Sequence, residues 1–414
     1  MDNFFSCLSL SVRYKIVILA KINRKSIIKV KKIKLGLLPR IVIAIALGIV
    51  FGNIFSEGVV RVFLTFNGIF SQFLGFLIPL IIVGLVTPAI ADIGKGAGKM
   101  LLATTLLAYG ATLLSGFFSY GVSELTFPSM INEGASSTAL TTTHELKPFF
   151  TVEIPAVMNV MTALVMSFTL GLGIASIKST AMKNVFSDLM QIITKTIQVV
   201  IIPLLPLYIF GIFLNMTYAG DVARVLTVFI KIIGVIFIMH ILLLVFQYTV
   251  AGLWTRKNPF KLLSNMLPAY FTALGTQSSA ATIPVTLHQT IKNGVREDVA
   301  SFVIPLCATI HMSGSVMKIV ACAMALMMMQ HVAYDFPMMA GFICMLGVTI
   351  VAAPGVPGGA IMASLGVQAS ILGFDESMQA LMIALYIAMD SFGTACNVTG
   401  DGSLALLIDK WFKK

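Results

Sequence analysis

Four polar residues near the C-terminus are spaced to act together. Asp390, Thr394, Asn397 and Asp401 fall at i, i+4, i+7 and i+11, so a helix carries all four on one face. The sequence around them is apolar, and an ionisable residue in such a setting marks a substrate or ion path. Asp390 can hold a ligand's ammonium and Asn397 its carboxylate. Asp401, one turn further on, suits a hard cation such as Na⁺. Thr394 and Thr399 add hydroxyls, and Gly400 is read as a point where the helix opens. The competing reading, two carboxylates bridged to neighbours for structure alone, does not account for this company of amide, hydroxyl and glycine.

Two further titratable residues lie on another apolar stretch. His311 stands in the interruption Thr309-Ile-His-Met-Ser-Gly-Ser315, and Lys318 follows seven residues later. A histidine there is either a proton-coupling group, because its charge changes near neutral pH, or a hydrogen-bonded helix break that never titrates. A lysine at membrane depth demands a partner. It can serve an acidic substrate side chain, pair with Asp390 in the empty site, replace a lost cation, or snorkel to an interface. His240, alone in an apolar span, reads as a packed residue.

These residues need elements that bring them together. Segments 259–293 and 337–372 are apolar towards both ends and broken in the middle. The breaks are Gly275-Thr-Gln-Ser-Ser-Ala-Ala-Thr-Ile-Pro284 and Ala353-Pro-Gly-Val-Pro-Gly-Gly359. Each segment is expected to enter the membrane, turn and leave by the same side, since irregular backbone at that depth survives only inside protein or against a watery cavity. Ser278 and Ser279 offer hydroxyls and N–H groups at the first tip, where a half-helix N-terminus favours an anion. Each hairpin is followed by an apolar span with its own polar interruption. The chain therefore repeats one unit in opposite orientations, a sequence pointer to a transport site.

Composition supports this reading. Of 414 residues, 58% are hydrophobic and 11% charged, well below the roughly one quarter charged of soluble domains. Before segment 259–293, six spans are expected at 37–56, 60–92, 99–123, 155–177, 186–219 and 221–254. The net charge of +11 is a topology signal and not a nucleic-acid footprint. Basic residues crowd between Lys21 and Arg40 and recur in alternate connections, whereas the segment from Gly121 to Pro155 carries Glu124, Glu133, Glu145 and Glu153 against Lys147. The positive-inside rule makes both termini cytoplasmic and the acidic loop external. Residues 1–36 read as a basic, disordered extension without a cleavable leader. The cysteines show no metal-type spacing and read as buried thiols.

The stretch from Thr276 to the C-terminus resembles the dicarboxylate/amino acid:cation symporters, the glutamate-transporter homologues. Gln277-Ser-Ser-Ala-Ala-Thr-Ile-Pro284 and Gly355-Val-Pro-Gly-Gly-Ala-Ile-Met362 are similar to that family's hairpin tips, and Asn397-Val-Thr-Gly-Asp401 matches its last-helix motif. The resemblance implies an all-α integral membrane fold of eight transmembrane helices plus two re-entrant hairpins. It also implies a homotrimer in the bacterial inner membrane, in contact with lipid. Residues 37–256 would form a scaffold and trimerisation domain, with spans 3 and 6 partly joining a transport core of residues 257–414. That core would move substrate by an elevator motion.

The departures bear on cargo. Where the family reads Asn-Met-Asp-Gly-Thr, this chain has His311-Met312-Ser313-Gly314-Ser315, and Thr104, Leu107 and Ala108 stand where that sodium site is completed. At least one sodium site is expected to be missing, with Asp401, Asn397, His311 and Met312 left for a cation. Gly393 stands where acidic-substrate members carry an arginine, and Tyr386 replaces a usual aspartate. The expected substrate site comprises Ser278, Ser279, Ser315, Val356, Gly358, Asp390, Gly393, Thr394 and Asn397, with Lys318 and Tyr386 as charge partners. The expected function is Na⁺-coupled amino acid symport, of a neutral or acidic substrate. A proton-coupled carrier of acidic amino acids or C4-dicarboxylates is the alternative within transport, and an anion channel the alternative outside it. No His-rich cluster, GxSxG turn or soluble catalytic domain points to an enzyme.

Overall fold

The computed structural model describes residues 37–93, 99–132, 146–177, 179–220, 222–351, 353 and 358–412. The basic extension 1–36, Val356 and the terminal Lys413 and Lys414 lie outside the described residues. The fold is built from helices. Those before Arg256 are α1 (Leu37–Gly52), α2 (Glu57–Ile93), α3 (Lys99–Asn132), α4 (Val160–Ile177), α5 (Thr180–Thr196), α6 (Ile202–Ala219) and α7 (Val222–Thr255). Those after it are α8 (Pro259–Asn265), α9 (Leu267–Thr276), α10 (Ser279–Lys292), α11 (Glu297–Ile310), α12 (Ser313–Met329), α13 (Phe336–Val351), α14 (Gly359–Leu372), α15 (Glu376–Ala388) and α16 (Asp390–Trp411). Among the described residues, five helical stretches are long and apolar enough to cross a membrane, or six if the bent pair α15–α16 is one span. This is a multi-pass membrane protein.

Helix ends differ from the apolar runs in instructive ways. The third run was expected to end at 123, but α3 continues through Pro128 to Asn132. Hydropathy marks where the lipid stops, whereas the helix persists as long as its backbone can bond internally. The fourth helix begins at Val160 and not at 155. The fifth and sixth helices join through a single π turn, Ile197–Ile201. Pro203 follows it. Its missing N–H and its ring do not fit a regular ladder, and one extra residue in the turn relieves the clash.

Close crossings depend on small residues, as expected where apolar surface gives helices no preference for one another over lipid. A Cβ on Gly48 or Gly52 would strike Phe210 O at 2.9 Å or Thr217 Cβ at 2.5 Å, so α1 packs against the backbone of α6. Gly171 does the same for α4 against α2, lying under Ile90 and Thr87 O. In the second half, α16 packs against α7, α9, α10, α11 and α12, and α3 lies along α12. All of α12 except Met328 is buried. An apolar helix covered on every side is the centre of its bundle, and α12 is the rod around which the site forms.

Candidate functional site

The interruption around His311 is a true break. Helix α11 ends at Ile310, His311 is extended (φ −96°, ψ 104°), and α12 starts at Ser313. The break exposes two helix ends within the protein: carbonyls at the end of α11, and N–H groups at the start of α12. Their dipoles favour a cation and an anion respectively.

The stripe on α16 lies against this break and answers it residue by residue. His311 Nδ1 is 2.9 Å from Asp401 Oδ1. Asn397 Oδ1 accepts from Gly314 N–H at 2.7 Å and from Ser315 N–H at 3.3 Å. Lys318 Nζ is 3.1 Å from Asp390 Oδ1. Going up α12 from 311 to 318 runs down α16 from 401 to 390, so the two helices pair antiparallel.

Around Asp401 the hydrogen bonds form a chain. Gln247 Nε2 donates to Ser313 Oγ at 3.3 Å, and Ser313 Oγ lies 2.8 Å from His311 Nε2. With Ser313 donating to Nε2, the neutral imidazole carries its proton on Nδ1 and donates a hydrogen bond to Asp401. Gly400 closes the packing. A Cβ there would stand 2.6 Å from Gln247 Oε1 and 2.7 Å from His311 Cε1. The expectation that α16 opens at Gly400 is therefore corrected. The helix runs unbroken from Asp390 to Trp411, and the glycine is needed for close approach. The break in this span comes earlier, at Met389, where α15 and α16 meet at 62°.

Asn397 fills a structural need. Met312 precedes α12 without a side-chain cap, and Asn397 Oδ1 takes over that role from the neighbouring helix. Its amide nitrogen donates to Ser315 Oγ at 2.9 Å and faces Met312 Sδ at 3.5 Å. Tyr386 O–H donates to the same Ser315 hydroxyl at 3.2 Å.

Asp390 is the meeting point of four elements. It opens α16, where the helix dipole favours its negative charge. Its Oδ2 accepts from Gly358 N–H at 2.8 Å, just ahead of α14. Lys318 reaches it from α12, passing over Gly393, and its Nζ lies 3.4 Å from the centroid of the Tyr386 ring. Next door, Ser391 Oγ accepts from Gln277 Nε2 at 2.9 Å. Gln277 is the left-handed residue (φ 53°) between α9 and α10. These two helices pack against each other, and Asn293, just after α10, donates from Nδ2 to Leu262 O of α8 at 3.0 Å. Ser278 caps α10 by accepting from Ala281 N–H, and Ser279 is buried in its first turn. Thr394 is buried one turn after Asp390. The first break and Gly358 of the second thus converge on the start of α16.

The residues expected on the third helix sit elsewhere. Thr104 donates to its own helix at Met100 O. The part of α3 facing the break carries Thr112, Ser115, Ser119 and Ser123, all fully buried. Thr112 Oγ1 accepts from Met312 N–H at 3.3 Å, and the Ser115 and Ser119 hydroxyls donate to Ser313 O at 2.8 Å and Met317 O at 2.7 Å. These residues recur at i, i+3, i+7 and i+11 in apolar sequence, the same signal that singled out the α16 stripe. His240, from α7, makes a 3.0 Å hydrogen bond to Gly314 O.

A cavity of about 520 Å³ lies between α2, α6 and the start of α15, lined by Asn67, Ser71, Tyr208 and Glu376 among others. Glu376 is roughly 20 Å from Asp390 along α15 at 1.5 Å per residue, so this cavity is separate from the chemistry described above.

The serine/threonine transporter SstT of Acinetobacter baumannii is 28% identical over 392 residues, 91% of this chain and 97% of the relative. SstT of Acinetobacter baylyi is 27% identical over 394 residues, 91% of this chain and 98% of the relative. An excitatory amino acid transporter of Caenorhabditis elegans is 27% identical over 273 residues, 63% of this chain and 53% of the relative. The sequence profile of the sodium:dicarboxylate symporter family matches residues 37–411, which spans every helix described above, and the chain belongs to that family.

Proposed function

We propose that this protein is a cation-coupled symporter that brings an amino acid, neutral or acidic, into a bacterial cell. The observation that carries the reading is the convergence on Asp390. A buried carboxylate meets Gly358 N–H, lies beside a residue bonded to Gln277, and heads the helix whose Asn397 caps the N-terminus of α12 two turns further on. A carboxylate next to inward-pointing N–H groups is complementary to a zwitterion, with the ammonium on Asp390 and the carboxylate at the helix and hairpin N-termini. Ser278, Ser279, Val356, Gly358 and Asn397 serve the carboxylate, and Thr394 and Ser315 line the side-chain pocket. The named activities of the relatives, serine/threonine and excitatory amino acid transport, support substrates that carry an amine.

In this reading α8–α10 and α13–α14 are re-entrant hairpins. With α11–α12 and α15–α16 they form an inverted repeat, the transport core of residues 257–414. That core moves against a homotrimeric scaffold of residues 37–256 in an elevator motion, with both termini cytoplasmic. The coupling ion is Na⁺, held by Asp401 with Asn397, Met312 and the carbonyl end of α11. One observation favours a second reading. His311 Nδ1 lies 2.9 Å from Asp401 Oδ1, so a proton held between them can replace Na⁺ or accompany it. An acidic substrate or a C4-dicarboxylate would look to Lys318 for its second carboxylate, given Gly393 in place of an arginine.

The test is uptake of a labelled amino acid panel into proteoliposomes under a Na⁺ gradient and, separately, a pH gradient. Serine, threonine or aspartate should accumulate under at least one of them, and Asp390→Ala should abolish the uptake. Unchanged uptake by Asp390→Ala would remove Asp390 from the site. A solute-evoked current without accumulation would identify an anion channel.

A further inference from the structure

A carboxylate deep in a membrane protein needs a counter-charge. A carrier meets this requirement twice in each cycle, because the site that binds a cationic group must also travel empty. Asp390 is the carboxylate in question, yet none of its demands is unmet. Its Oδ1 is 3.1 Å from Lys318 Nζ and its Oδ2 accepts from Gly358 N–H at 2.8 Å. The ammonium is satisfied in turn. Besides Asp390 it has Met389 O at 3.4 Å and the face of the Tyr386 ring at 3.4 Å, and Lys318 is 0% exposed. The lysine is therefore locked inside the protein and does not snorkel.

Room for it comes from Gly393. A Cβ at that position would stand 2.7 Å from Lys318 Nζ, 2.8 Å from Cε and 3.2 Å from Cδ. The side chain crosses a bare backbone from the neighbouring helix and ends on the carboxylate that heads α16. Any larger residue at 393 would push it off.

We propose that Lys318 is a tethered stand-in for the substrate's ammonium group. It occupies Asp390 when no substrate is bound and yields Oδ1 when an amine arrives, keeping the Tyr386 ring and Met389 O as its seat. The inference rests on the reading that Asp390 receives the amine, and it adds a rule for the cycle. The empty core moves as a neutral pair, so its return needs no counter-transported cation. Lys318 is thus a specificity and positioning residue: each substrate amine binds in competition with an internal cation.

The rule separates two modes of transport. Exchange of substrate for substrate uses only the loaded core, whereas net uptake also requires the empty core to return. In proteoliposomes with labelled L-serine and L-aspartate, Lys318→Gln should lower the ratio of net uptake to exchange at least about tenfold, because an unpaired carboxylate disfavours the returning state. Potassium inside the vesicles should restore part of that ratio by neutralising Asp390. Lys318→Arg, which keeps the charge, should leave the ratio near the wild-type value. Gly393→Ala, which keeps the lysine but displaces Nζ, should reproduce the split and carries the test if Lys318→Gln does not fold. Equal losses in both modes, or a ratio unmoved by Lys318→Gln and Gly393→Ala, would overturn the proposal. Failure of the underlying reading looks different: a wild type that carries succinate but no amino acid. That result overturns both, since no amine is left for Lys318 to replace.

Discussion

His311 Nδ1 and Asp401 Oδ1 lie 2.9 Å apart, with side-chain exposures of 0% and 1%. The carboxylate at the end of the α16 stripe is therefore partnered by a ring nitrogen from the opposite helix break. Removing that partner should be costly. His311→Ala is expected to lower stability by about 1.5–3 kcal/mol, the range for losing a hydrogen bond to a charged group, read from thermal unfolding in detergent. His311→Asn keeps a hydrogen-bond donor in a smaller side chain and should leave Asp401 freer to hold Na⁺. Its half-saturating Na⁺ concentration for uptake should fall. An unchanged or higher value would argue against Asp401 as a Na⁺ ligand.

Tyr386 makes two separable contacts. Its hydroxyl donates to Ser315 Oγ and its ring face underlies the Lys318 ammonium. Tyr386→Phe should lose only the hydrogen bond, about 1 kcal/mol. Tyr386→Leu should lose a further ~1–2 kcal/mol from the desolvated cation–ring contact. Equal destabilisation of the two variants would mean that the ring contributes nothing to holding Lys318.

Two helix glycines should behave in opposite ways. Alanine at Gly400 would drive a methyl into Gln247 and His311, whereas a Cβ at Gly110 on α3 meets nothing within 4 Å. Gly400→Ala should abolish uptake by forcing α7 and the His311 break away from α16. Gly110→Ala should be neutral or stabilise by up to ~1 kcal/mol through helix propensity. Uptake by Gly400→Ala at the wild-type rate would show that the break tolerates a shift.

The hydroxyl stripe on α3 should prove additive. Ser115 and Ser119 donate to different carbonyls of α12, at residues 313 and 317. Each alanine substitution should cost about 0.6 kcal/mol, the average for such bonds between membrane helices, and the double variant about the sum. A double variant as stable as the wild type would remove the stripe from the forces that hold the break.

Several features of the site were legible along the chain because they are local. Helical period placed Asp390, Thr394, Asn397 and Asp401 on one face, and all but Thr394 have His311, α12 or Gly358 as named partners. The polar interruption at His311 marked a real break, and Gln277-Ser278 a real turn. Polar groups and helix breakers in apolar sequence act within a few residues, so they can be read from the sequence. The buried polar run on α3 carries the same signal, one to two turns beyond Thr104, Leu107 and Ala108.

By itself the sequence determined a membrane-embedded helical protein, the position of most of its breaks, and which face of the last helix is polar. It did not determine what that face meets. Gly400 looks like a hinge when read along the chain and is a contact point for Gln247 and His311 in the fold. Asn397 looks like a ligand group, and in the fold its Oδ1 is also the cap of another helix. Lys318 has several possible partners in sequence and one carboxylate in the structure, reached only because Gly393 leaves the crossing open. Each of these depends on the antiparallel register of α12 against α16, residues about ninety apart at one end and seventy at the other. A local pattern fixes how a helix is striped; only packing fixes which stripe it faces and at what height.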